Sequence, residues 1–569
     1  MALSPIARTL IYSEYATWNS GSHQPSLVTF SFAGAAGGPN PTAAGIAWSS
    51  FSAGQQHAAR QALDSWAAVS GIRFIEVPDT KAGAGIDIRF QLSQMADGTA
   101  GSAYYPKVGD ISLSLSLYAQ DNLEPGSYGY LVLLHEIGHA LGLKHPFDSY
   151  PVLTDGLNNF DNTVMAYPRY GFATPASLRA ADIEAIQYLY GTQSDEQNFS
   201  VQWNWDAARG GIRHDGNNSS QSITGTALRD IIFGYGGDDV LNGGAGDDML
   251  FGGTGLNRIS GGAGTDVLAT GLFRAQTSLS GVSLGSEYND GSITRTVSGT
   301  LYTPGEHQVF NGIEVLAFGD GRLVFDDADP VAQVVRMYQA ALGRQPDAVG
   351  RESWTTQLLD GAPLVRLAEG FLGSAEFQAR FGWQDDAGFV ATAYRQALGR
   401  EGEASGQAFW QGQLAAGMSR AGLLAGFSES AENHARTAPL LAKGLWDADD
   451  QIADLARLYK AVLGRAPDMD GLRFWNEQAN HGVPDAAIAN QFANSAEFTN
   501  RFPGGSDAEF VNAVYQNALG RGIDATGQAF WLDQLAHGMT RGEMVGGVSH
   551  STEFLVLSAG LTEGGIVFA

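Results

Sequence analysis

The chain has 569 residues, enough for several domains that each bury a core. Its 60 acidic and 33 basic side chains give a formal charge of −27, which excludes nucleic acid or an anionic membrane as the expected partner. Cysteine is absent, so a disulfide framework and a cysteine-based latency switch are both excluded, and the 74 glycines are a large excess over ordinary usage.

Residues 1–25 are polar and irregular, as in an extension or short propeptide. Met1 to Ile6 has no apolar stretch of signal-peptide length, and no run approaches the ~18 apolar residues of a membrane span. From Val28 to Phe32 the pattern predicts a strand. Ser52 and Gln55 form a capping box that opens a helix with Ala58, Ala62, Leu63, Trp66 and Val69 on one face. Ile86–Phe90 alternates with period two. So does Ile111–Leu117, with serines on its second face.

The most informative string runs from His135 to His145 and reads H-E-x-x-H-x-x-G-x-x-H. On a helix His135 and His139 project from one face. Gly142 allows the left-handed turn that brings His145 back as a third nitrogen ligand. Three protein ligands with a fourth position open is the pattern of a catalytic zinc, and Glu136 is placed to act as general base. Twenty residues on, Thr163-Val164-Met165-Ala166-Tyr167-Pro168 can set an apolar thioether, Met165, beneath the histidines.

This string followed by a methionine turn resembles the metzincins. Tyr128-Gly129-Tyr130, Lys144-His145-Pro146 and Met165-x-Tyr167 resemble their serralysin branch, over about Thr29 to Gly191. The resemblance implies an α+β protease domain in a secreted bacterial zinc endopeptidase that acts on protein or peptide substrates and is followed by a calcium-binding β-roll. It implies that Tyr167 is a further zinc ligand that swings away to stabilise an oxyanion, and that the Ile111–Leu117 strand is the sheet edge facing the cleft, where an extended peptide can pair with it. It also implies export by a type I exporter that reads an uncleaved carboxy-terminal signal. Glu563 to Ala569 loosely resembles such a signal, with a different spacing.

Residues 192–222 read as a polar linker. Between Gly225 and Ala269 a nine-residue repeat matches G-G-x-G-x-D-x-U-x, most clearly at Gly243–Phe251. Its sixth positions, Asp230, Asp239, Asp248, Asn257 and Asp266, supply hard oxygen ligands for calcium together with glycine carbonyls. The fourth copy, with asparagine, and the glycine-poor first copy are expected to bind more weakly. Ile232, Leu241, Leu250, Ile259 and Leu268 stack inside, and copies two apart share an edge. Residues 271–328 read as a β-rich cap.

Residues 329–569 carry four copies of a helical repeat that resembles an uncharacterised module of exported bacterial proteins. Its phrases are Tyr-x-x-x-Leu-Gly-Arg…Gly-x-x-x-Trp, at Tyr338, Tyr394, Tyr459 and Tyr515, and Ser-Ala-Glu-Phe, near Ser374, Ser430, Ser495 and Ser551. The 121-residue offset between copies one and three marks a duplicated pair. Tyr and Trp are expected in the core and Gly-Arg in a turn with a structural ion pair. No repeated catalytic triad is visible, so docking to a partner, a cell surface or surface layer, or another copy of itself is the expected role. The whole is a multidomain chain: metzincin domain (26–191), linker (192–222), parallel β-roll (223–270), cap (271–328) and all-α repeats (329–569).

Overall fold

The computed structural model describes residues 3–39, 45–120, 122–153, 156–167, 174–289, 292–502 and 505–569. It divides into Met1–Thr254 with Gly262–Gly264, and Gly255–Gly261 with Thr265–Ala569, so the division falls inside the nonapeptide array.

In the first unit, Ser4 caps α1 (Pro5–Leu10), and Ala7 and Leu10 are fully buried. Lys144 N donates to Leu10 O at 2.7 Å, Tyr12 N to Gly142 O at 3.2 Å and Trp18 Nε1 to Ala140 O at 2.9 Å. The segment expected to be an irregular extension is therefore strapped onto the turn that carries His145. The reason is its apolar content: Ala7, Leu10 and Trp18 join the domain core.

Five strands form the main sheet path: β1 (Ser26–Phe32), β3 (Ile72–Glu76), β4 (Ile88–Ser93), β5 (Gly101–Ala103) and β6 (Ile111–Ser114), in the order β3-β1-β4-β6-β5. β2 (Trp48–Ser49) pairs with β4. Only β5 on β6 and β2 on β4 run antiparallel. The capping box of Ser52 and Gln55 opens α2 (Ala53–Ala67), which buries Ala58, Ala62, Leu63 and Trp66. Two expectations are corrected. The strand from Ile111 ends at Ser114, where α3 (Leu115–Tyr118) begins, and Leu117 is exposed. β6 is also interior, because β5 pairs along its other side and takes the edge.

After α4 (Tyr128–Ala140) and α5 (Ala180–Tyr190), the stretch expected to be a linker is structured. It holds α6 (Gln193–Gln197) and strands β7 (Gln202–Asp206), β8 (Gly211–Asn217) and β9 (Ser222–Thr224). Buried His214 lies opposite Ile232 and buried Ile223 opposite Leu241, so β8 and β9 start the roll one turn earlier on each side. β8 lies parallel to β10 (Asp230–Tyr235), β9 to β11 (Val240–Ala245), and β10 to β12 (Met249–Phe251). The register Ile231↔Met249 spans 18 residues, two copies, as the repeat demands. Ile232, Leu241, Leu250, Ile259 and Leu268 are each at most 1% exposed.

In the second unit β13 (Leu256–Ala263) pairs with β17 (Glu306–Asn311) through Leu256–Ser260. The long hairpin β15 (Ser278–Asn289) and β16 (Ser292–Thr303) extends from β17. A second path runs β14 (Val267–Ala269), β18 (Val315–Phe318), β19 (Gly321–Val324) and β20 (Leu445–Ala448). β20, between the second and third repeats, is a short strand beside their helices: its Trp446 is buried against Phe318.

Elsewhere the repeats are helical and alike. Gly343, Gly399, Gly464 and Gly520 end helices in the left-handed region, with φ between 64° and 69°. Each following arginine pairs with a glutamate 32 residues on: Arg344–Glu376, Arg400–Glu432, Arg465–Glu497 and Arg521–Glu553, at 2.7–2.8 Å. Each also lies over its repeat tyrosine, 5.1–5.7 Å from the ring centre. Copies one and two share one core, and copies three and four share another. No helix of the described residues is long and apolar enough to cross a membrane.

Candidate metal centre and calcium turns

Ser127 caps α4 through the Tyr130 amide, and every residue from Gly129 to Ala140 is buried. Gly138 leaves room beneath: a β-carbon there would stand 2.6 Å from Met165 Sδ and 3.3 Å from the Trp66 ring. Met165 is fully buried, which places the methionine turn under the site as expected. Pro168, the last residue of that turn, lies outside the described residues. Gly142 turns the chain at φ 99° and brings back His145.

The Nε2 atoms of His135, His139 and His145 stand 3.1 Å from one another. Each Nδ1 faces an oxygen that can only accept: Val164 O at 2.8 Å, Leu143 O at 2.7 Å and Asp148 Oδ2 at 2.7 Å. Each Nδ1 therefore carries the proton, and each Nε2 turns a lone pair inward. Burial, then the neighbouring histidine, holds His135 well below its ordinary value and His139 near 4, so these rings stay neutral. Three converged Nε2 atoms fit zinc. The centre of their triangle lies about 1.8 Å from each nitrogen, inside the usual ~2.0–2.1 Å bond.

Glu136 is 6% exposed, and burial pushes its carboxyl up to about 8. It borders a cavity of about 290 Å³ lined by Ala100, Gly101, Leu131, Val132, Phe160 and Ala166, among others. Gly101 of β5 makes space for it, since a β-carbon there would stand 2.7 Å from Glu136 Oε1. The Tyr167 ring centre is 4.6 Å from that of His145, and the side chain is half exposed. Burial, and next Glu136, raise its phenol, so it stays protonated.

Three supporting residues escaped the sequence reading. Asp148 orients His145. Asp182, fully buried, accepts from Thr163 Oγ1, Val164 N and Arg179 N and so pins the methionine turn to α5. Gly101 opens the floor beside Glu136. Only Asp148 left a local signal, three residues past the last histidine.

In the roll, Asp230 N donates to Asp248 Oδ1 at 2.8 Å, and Gln221 N to Asp239 Oδ1 at 2.9 Å. Asp230, Asp239, Asp248, Asn257 and Asp266 are all at most 1% exposed. Buried carboxylates stacked beside glycine carbonyls are a donor set for calcium. Asp230 differs from the rest. His214 Nε2 holds its Oδ1 at 2.7 Å, and the Thr226 amide and hydroxyl hold its Oδ2.

The matrixin family model matches residues 49–191, the stretch that holds this centre. The first unit carries a matrixin domain. The match implies a catalytic zinc, and the RTX calcium-binding nonapeptide repeat matches 215–250 and 243–274, which implies calcium binding. A domain of unknown function, DUF4214, matches 368–437, 455–502 and 489–557 in the helical region. A serralysin of Proteus mirabilis is 30% identical over 230 residues, 32% of this chain and 44% of that protein. Metallopeptidase AprA of Pseudomonas marginalis is 31% identical over 191 residues, 29% and 40% of the two chains. A hatching enzyme of Paracentrotus lividus is 31% identical over 146 residues, 24% and 22%. The chain thus spans less than half the length of these relatives. The matrixin match starts within the expected 26–191 domain, and the nonapeptide match at 215 agrees with the earlier start of the roll.

Proposed function

We propose that the chain is a secreted zinc metalloendopeptidase of the serralysin type. The observation that carries this is the triangle of inward-facing His135, His139 and His145 nitrogens beside buried Glu136. When bound, zinc supplies Lewis-acid polarisation of the peptide carbonyl and acidifies a water. Glu136, facing the cavity beside the three histidines, would take a proton from an attacking water and pass it to the leaving amine. Its raised carboxyl suits the second step. Tyr167, kept as a phenol, donates to the oxygen that gains negative charge. The outer edge of β5 offers main-chain groups to an extended peptide. Leu131, Val132, Phe160 and Ala166 offer an apolar recess for one of its side chains.

The test is cleavage of an unfolded protein by wild type and Glu136→Gln, with zinc content measured in parallel and calcium present. Zinc near one per chain, with turnover falling roughly 10²–10⁴-fold in the variant, is expected. His139→Ala loses metal and activity together. Zinc-loaded wild type without peptidase activity would sink the assignment.

The acidic, cysteine-free chain and its nonapeptides support export by a type I exporter, with calcium completing the roll outside the cell. A docking role for the repeats is supported by Phe409, Phe474 and Phe530, 51–56% exposed, each directly before the repeat tryptophan. Copy one has Ser353 there. Replacing all three phenylalanines by serine should release the protein from a cell surface and leave cleavage of soluble substrate unchanged. Unchanged cell association would refute this role.

A further inference from the structure

Past Ala269 the chain leaves the roll, makes the hairpin β15–β16, and returns through β17. On returning it resumes the stacking of the roll. Val267↔Val315, Leu268↔Leu316 and Ala269↔Ala317 pair in parallel, as Ile231↔Met249 and Ile232↔Leu250 do between calcium-type copies. Leu316 is fully buried and follows Leu268 in the internal stack, and Phe310 follows Ile259. Glu314 stands in the register of the sixth position. Asp266 N donates to its Oε2 at 2.9 Å, the counterpart of the 2.8 Å bond from Asp230 N to Asp248 Oδ1. A β-carbon at Gly261 would collide with Gly312 O and Asp266 Oδ2, as one at Gly225 would with Gly243 O and Asp230 Oδ2. The carbonyl stacking of the glycine turn is thus repeated as well.

One difference is informative. The turn Gly312-Ile313-Glu314 takes two steps from glycine to acid, where Gly243 to Asp248 takes five. The longer glutamate side chain spans part of what the shorter turn omits. Glu314 is 6% exposed and Asp266 fully buried, so two carboxylates meet away from water. Among the described residues no lysine, arginine or histidine makes an ion pair with Glu314. A buried carboxylate such as Glu314 is costly unless a cation or hydrogen bonds meet it.

We propose that Asp266 and Glu314, with the glycine-turn carbonyls, hold one more calcium ion beyond the last recognised nonapeptide, which ends by residue 274. This rests on the calcium reading of the array. A divalent ion with six to eight oxygen ligands suits the donor set, water completing the shell. The site would couple the β-rich cap to the end of the roll, so that calcium orders both together.

The test counts calcium on the full chain by native mass spectrometry and isothermal titration, for wild type, Glu314→Gln and Asp248→Asn. Circular dichroism at saturating calcium monitors the fold. The expected result is one calcium fewer in Glu314→Gln, and a separate loss in Asp248→Asn. A wild-type count and affinity in Glu314→Gln, with loss in Asp248→Asn, overturns the proposal alone. No loss in either variant overturns the calcium reading of the whole array. Should Glu314→Gln fail to fold, Glu314→Asp keeps the charge and shortens the reach. It should keep the count and weaken one site by roughly tenfold. Unchanged affinity at every site would overturn the proposal.

Discussion

Replacing Asp182 with asparagine removes a buried charge while nearly keeping its shape. The wild-type carboxylate accepts two hydrogen bonds from the methionine turn and one from the Arg179 amide, yet burial still raises it from 3.8 to about 6. At 1.36 kcal/mol per unit, ionising it in the fold costs about 3 kcal/mol more than in the unfolded chain. A folded value above the unfolded one gives stability that is complete below about pH 4 and is lost as pH rises through about 6. Asparagine does not titrate. Whatever fixed penalty its amide brings, the variant should gain about 2–3 kcal/mol relative to wild type between pH 4 and 7.5. Hydrogen exchange of peptides from α5, corrected for intrinsic rates at each pH and read at fixed zinc and calcium, isolates this domain. A difference between the two proteins that stays flat across that range would refute the reasoning.

Asp148→Ala leaves the His145 Nδ1 proton without its carboxylate. Zinc affinity, measured by competition with a chelator, should fall roughly 10–100-fold, and unchanged affinity would exclude the orienting role. Gly138→Ala drives a β-carbon to 2.6 Å from Met165 Sδ and should lower stability by about 1–3 kcal/mol in urea unfolding of the matrixin domain. Adding Met165→Ala should relieve that clash, so an additive double variant would count against it. Arg521→Ala breaks a half-exposed pair with Glu553 and should leave the thermal unfolding midpoint almost unchanged. A clear drop would mean that the pair holds more than its own repeat.

The histidine triangle was legible because His135, His139 and His145, Glu136 and the turning glycine lie within 11 residues, where helix geometry alone sets the arrangement. The roll was legible for a similar reason: a period of nine repeats one local rule. What escaped depends on distant segments. Asp182 acts on Val164 from 18 residues away, and its own surroundings look like an ordinary helix start. The edge strand is only three residues long, too short to announce itself by alternation, so Ile111–Leu117 took its place in the reading. The segment 192–222 carries the Asn, Ser and Gly of a linker because roll edges use the same turn residues. Ile223, 18 residues before Leu241, was the interior position that set it apart. In the repeats, Gly-Arg was read as a turn with an ion pair, and the glutamate that answers each arginine is that of the Ser-Ala-Glu phrase or its counterpart.

Because each helical core is closed by two copies, the pair is the smallest self-sufficient brick of this region. Removing one copy would strip a neighbour of half its apolar lining. Excising 121 residues in register, the Tyr338-to-Tyr459 offset, would remove a whole brick and rejoin like to like. Natural lengthening or shortening of such a tail should therefore run in even steps, and a designer wishing to vary its reach has a ready-made unit of addition.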